Sequence, residues 1–112
     1  MSAVELLGQA QRVLNEPRTD GLSSRMAAFL ARQALELIVD QRCIEVEAPA
    51  PWASMRSKLA VLRSLDTAEA ADSATIAWNR LSSACHVHAF ELPPSAAEVE
   101  HLCGVVASLL PA

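Results

Sequence analysis

SSRMAAFLARQALELIVDQRCIEV, residues 23–46, decides the fold. Twenty-four residues run here without Pro or Gly, and Ala, Leu, Arg, Gln and Glu, all good helix formers, dominate. Met26, Phe29, Leu30, Leu37, Ile38 and Ile44 recur at helical intervals and predict a wide apolar face on a long central helix. Ser23 or Ser24 is the expected N-cap. Arg32 and Glu36, four residues apart, are placed to pair.

The same pattern repeats on either side. Ser2 is expected to cap a first helix to about Asn15, with Val4, Leu7, Ala10, Gln11 and Leu14 along one stripe. Glu16-Pro17 and Asp20-Gly21 mark a loop before the central helix. After it, Pro49 and Pro51 break the chain, because neither can lie inside a helix. Ser54 then caps a short helix, MRSKLAVLRSL, with Met55, Leu59, Leu62 and Leu65 turned inward and Arg56, Lys58 and Arg63 on its polar side. A fourth helix is expected from Asp66 or Thr67 to about Cys85, packing through Ala70, Ala74, Ala77, Leu81 and Ala84. HVHAFELPP, residues 86–94, leaves that helix at its two prolines. Ser95 and Glu98 form a capping-box pattern for a last helix lined by Val99, Leu102, Val106 and Leu109 or Leu110. No stretch reads as a strand. The expected fold is all-α: one domain over residues 1–112, an antiparallel helical bundle of about five helices, with the second, fourth and fifth building most of the core.

Composition agrees and narrows the function. Half the residues are hydrophobic, and 112 residues suffice for a packed core. Alanine makes up roughly a fifth of the chain, which favours helices that pack closely. A net charge of −4 argues against a wholly basic nucleic-acid binder, while leaving room for a local basic patch. The three cysteines, Cys43, Cys85 and Cys103, are odd in number and widely spaced, as expected of reduced thiols in a cytoplasmic protein. The N-terminus lacks the basic start and apolar stretch of a signal peptide, and no apolar run approaches a membrane span. With only Gly8, Gly21 and Gly104, a glycine-rich nucleotide-cradling loop is all but excluded.

The unusual residues gather in AWNRLSSACHVHAFELPPSAAEVEHL, residues 77–102. On one continuous helix Asn79 and His86 fall within about 20° of each other, with Ser82 and Ser83 beside them. Arg80 and His86 would stand about 120° apart and meet poorly, unless the helix ends near Cys85 or a partner chain completes the site. His88 follows two residues later. Cys85, His86, His88, His101 and Cys103 match known structural zinc spacings poorly, and no metal or other cofactor is expected. Trp52, in the Pro-flanked loop, and Trp78 are each suited to anchor an interface or to close the core.

Arg80 and His86, an R-x5-H spacing near the end of the penultimate helix, together with the helix count and ARQALELIVDQ in the central helix, resemble the HEPN superfamily. The resemblance implies a small helical domain that assembles as a homodimer. It also implies metal-independent RNA cleavage by Arg80 and His86, with Asn79, Ser83 and His88 as neighbouring binding residues. A toxin–antitoxin or defence setting, with an antitoxin or other protein partner, is implied in the same way. The chemistry suits the residue types: imidazole ordinarily titrates near working pH and can take the 2′-OH proton, and a guanidinium can hold the phosphorane. Two other readings of the same residues stand beside this one. Arg80 can be a structural partner of Glu36 or Glu91, with His86 and His88 only ending a helix. The domain can also be a non-catalytic interaction module, a reading favoured by the acidic balance and by the apolar Leu81 directly after Arg80.

Overall fold

The computed structural model describes residues 1–16, 21–86 and 94–111. Five α-helices follow in order: α1 (Ala3–Asn15), α2 (Gly21–Glu45), α3 (Met55–Leu65), α4 (Ala68–Cys85) and α5 (Ala96–Ser108), with no strand among the described residues. Short polar side chains set four of the five starts. Ser2, Ser54, Thr67 and Ser95 each adopt extended backbone and accept a backbone N–H three residues on, at 3.1–3.2 Å. Each thereby satisfies a donor that has no partner within its helix.

The start of α2 differs from the expectation at Ser23 or Ser24. The helix begins at Gly21, and Ser24 is buried within its first turns. Packing of this end of α2 overrides the local preference of serine for a cap.

The inward face of α2 also differs. Ala27, Ala28, Ala31, Ala34, Leu35, Ile38, Val39 and Cys43 are buried, while Met26, Phe29, Leu37 and Ile44 are each 42–54% exposed. Of the expected large residues only Ile38 is buried and Leu30 half-buried. The reason is volume: α2 packs against all four other helices, and alanine lets neighbouring backbones approach closely. The larger side chains are left on the open side. The same preference for small residues holds on α4, where Ala70, Ala71, Ala74, Ala77 and Leu81 are buried as the seam.

Elsewhere the apolar stripes follow the sequence with local exceptions. On α1, Leu6 and Ala10 are buried, and Val4 is exposed instead of packed. On α3, Leu59 and Leu62 are buried, but Leu65 at the last turn is exposed. Val99, Leu102, Cys103, Val106 and Leu109 of the C-terminal segment all enter the core. Helices α2, α4 and α5 thus supply most of it. Lys58 is not on a solvated face: it is buried, its Nζ 2.6 Å from Asp40 and 3.5 Å from the Pro51 carbonyl. Trp52 is 84% exposed and does not close the core.

Two polar devices hold the bundle ends. The Arg42 guanidinium grips Asp66 through Nε at 2.7 Å and Nη2 at 3.2 Å, and donates from Nη1 to the Leu109 carbonyl at 2.9 Å. It ties α2, the α3–α4 corner and the end of α5 together. At the end of α2, Glu47 takes φ 62°, the Ala48 N–H bonds Cys43 O and the Glu47 N–H bonds Ile44 O, both at 2.9 Å. This is a Schellman turn with glutamate at the left-handed position that glycine ordinarily fills. Glu47→Gly is therefore expected to stabilise the fold by about 1 kcal/mol, read as a higher urea midpoint at unchanged m-value.

Candidate functional site

Helix α4 stops where the site needs it to. Cys85 is its last residue, and His86 leaves the helix with φ −83° and ψ 135°, its N–H bonded to Ser83 O at 3.3 Å. The imidazole therefore does not follow the helical wheel that would hold it about 120° from Arg80. Arg80 and His86 instead line one open depression of about 330 Å³. Asn79, Ser83 and Ala84 contribute the α4 wall, Arg25 comes from the start of α2, and Pro94 and Glu98 come from the start of α5. Asn79, Arg80, Ser83 and His86 are all exposed.

The structure separates the two serines of the polar stripe. Ser83 faces the depression, whereas Ser82 accepts a hydrogen bond from Arg32 Nε at 3.0 Å. Arg32 also lies over the Trp78 ring, 4.1 Å from its centroid, and pairs with Glu36 at 3.6 Å as the spacing predicts. Trp78 is thus a half-buried α4 side chain with Arg32 of α2 over its ring. Glu36 is the partner of Arg32, and Arg80 makes no ion pair among the described residues. His88 and Glu91 lie outside the described residues.

Leu81 is fully buried. The position after Arg80 packs into the core, so the geometry of α4 itself calls for an apolar residue there.

Two residues of the depression carried no signal in the sequence. Arg25 sits in a helical start where no motif draws attention to it. Its Nε is buried without a hydrogen-bond partner among the described residues. Glu98 reads from the sequence as a cap residue only; its backbone N–H does accept that role, donating to Ser95 Oγ at 3.1 Å, while the residue also lines the depression. A basic residue one helical turn into α2 and an acidic one at the third position of α5 become neighbours only because both helices begin against the end of α4.

Cys43 and Cys103 are buried, and Cys85 is half-buried. Burial pushes the Cys103 thiol up to about 11, and raises the Cys43 and Cys85 thiols as well. All three are free, and protonated thiols are poor nucleophiles and poor metal ligands. Among the described residues no three His, Cys, Asp or Glu side chains come together as a metal site. No helix among them is long and apolar enough to cross a membrane.

Comparison of the chain with models of protein families, with curated proteins and with solved structures yields no match.

Proposed function

We propose that this chain is a HEPN-like domain that cleaves single-stranded RNA without a metal, through Arg80 and His86 in a composite site at a homodimer interface, where each protomer supplies its own pair to one cleft. The observation that carries the reading is the end of α4 at Cys85, which lets Arg80 and His86 share one depression. The unprotonated His86 imidazole takes the proton from a ribose 2′-OH. The freed oxygen attacks the adjacent phosphorus and the P–O5′ bond breaks, the 5′-oxygen taking a proton from solvent water to leave as a hydroxyl beside a 2′,3′-cyclic phosphate. Arg80 holds the charge that builds on the non-bridging oxygens, and Arg25 adds a second cation to the same depression. Asn79 and Ser83 supply neutral hydrogen-bonding groups at the rim. A cytoplasmic toxin–antitoxin or defence role, with an antitoxin as protein partner, belongs to the same proposal.

The direct test is cleavage of a labelled single-stranded RNA in EDTA beside a DNA of the same sequence. Cleavage of RNA alone, ending in cyclic phosphate, is the expected result. Loss of activity in EDTA, or equal cutting of DNA, would remove the mechanism, since DNA has no 2′-OH.

The homodimer has a surface to form on. Leu22, Met26, Phe29, Leu37 and Ile44 are exposed along the open side of α2. Met26 and Phe29 line a mostly apolar hollow of about 640 Å³ together with Arg25, which also borders the Arg80–His86 depression. A second copy seated there would stand beside the depression. Phe29→Asp is expected to shift the protein from dimer to monomer in light scattering and to lower RNA cleavage with it, because an apolar contact row does not tolerate a buried charge. A monomeric wild type that cuts RNA would sink the composite site while leaving the ribonuclease.

The same exposed row favours a second reading, a non-catalytic HEPN-like module that docks another protein. A folded dimer that leaves RNA intact would move the conclusion there.

A further inference from the structure

The cations of this acidic chain are unevenly spent. Arg32, Arg42 and Lys58 are paired with Glu36, Asp66 and Asp40. Arg56 and Arg63 are exposed, and both line a second hollow of about 600 Å³ between α3 and α4. They lie seven residues apart, two turns along one side of α3, so their backbone positions stand about 10 Å apart along the helix. Arg63 has only a loose contact with Asp72, 3.9 Å, with both side chains more than 60% exposed. The hollow meets the Arg80–His86 depression at Asn79, which lines both. Four arginines, Arg25, Arg56, Arg63 and Arg80, line the two hollows; among the described residues Glu98 is the one carboxylate in the lining, and Asp72 lies against Arg63 from outside it. A net charge of −4 therefore coexists with a clustering of arginines along these two hollows.

We infer that the α3–α4 hollow is the substrate approach to the Arg80–His86 depression, binding the phosphates of single-stranded RNA through Arg56 and Arg63. The inference rests on the ribonuclease reading of the depression. One strand runs from Arg56 past Arg63, crosses α4 at Asn79 and enters between Arg80 and His86. Trp78 and Ala60 line the α3–α4 hollow. They offer apolar surface to an unstacked base, which a duplex keeps inside its own stack. The arginines are rim groups, so they contribute affinity through counterion release and little sequence preference.

The test uses the full chain with His86→Ala, so that RNA is bound and not consumed, and follows a labelled single-stranded RNA by fluorescence anisotropy across a salt series. Adding Arg56→Ala and Arg63→Ala together is expected to weaken binding about tenfold and to reduce the slope of log affinity against log salt by about 1.4. Arg56→Lys with Arg63→Lys keeps the charge and should keep the slope. Unaltered affinity and slope in the folded alanine pair would overturn the inference, as would equal binding of a duplex of the same sequence. Wild-type cleavage that does not need the arginine pair would leave the ribonuclease and remove this approach. Arginine-dependent binding by a wild type that never cuts would remove the ribonuclease and keep the RNA surface.

Discussion

His86→Ala is expected to lower RNA cleavage by about 10³-fold while leaving the fold unchanged. The size follows from the role: without the imidazole, only water can take the 2′-OH proton, and positioned general bases are worth that order of rate. Stability should fall by no more than about 1 kcal/mol, since the side chain is exposed at the helix end. Arg80→Lys separates charge from geometry. Lysine keeps the positive charge but not the planar fork, and a loss of about 10²-fold in turnover is expected if two parallel hydrogen bonds hold the phosphorane. Single-turnover rates on a labelled RNA measure both. Wild-type rates in either variant would mean that Arg80 and His86 share a depression without sharing the chemistry.

Asp66→Ala is expected to cost about 3 kcal/mol of folding stability, read from urea unfolding. The carboxylate side chain is 11% exposed and Arg42 is 22% exposed, so the pair is mostly shielded from water. Removing Asp66 strands the Arg42 guanidinium and takes the acceptor from the Thr67 N–H, bonded at 2.7 Å. The hydrogen bond from Arg42 holds the Asp66 carboxyl below the usual carboxylate range, against the opposing effect of burial. A folded-state value below the unfolded one stabilises the fold at any pH above the unfolded value. That stability is lost as pH falls through the folded value. Wild type should therefore lose stability on acidification below about pH 4, and Asp66→Asn should flatten this part of the curve. An equally steep acid limb in the variant would assign the loss to other carboxylates.

These two sites show how unevenly the sequence exposes its own consequences. Four helix starts were legible because a cap is a local event: Ser2, Ser54, Thr67 and Ser95 each bond a residue three positions away. The end of α4 was partly legible. The prolines at 93 and 94 forbid an indefinite helix, and an end near Cys85 is one of the conditions under which Arg80 and His86 can meet. Which serine of the pair 82–83 belongs to the depression was not legible, because Ser82 is claimed by Arg32, fifty residues earlier.

The sequence by itself determined that the chain is all helical, roughly where α1, α3, α4 and α5 begin, and that Arg80, His86, Asn79 and Ser83 lie at one end of one helix. Tertiary structure alone decided which side of α2 faces inward. Periodicity marks faces but does not rank them, and an alanine face wins when four neighbouring helices must approach closely. It alone placed Arg25 and Glu98 beside Arg80, and joined the Arg56–Arg63 hollow to the same depression through Asn79. It also sent Lys58 inside to Asp40 while its neighbour Arg56 stayed on the surface. Such pairings depend on where helices cross, and crossing is set by side-chain volume summed over the whole core.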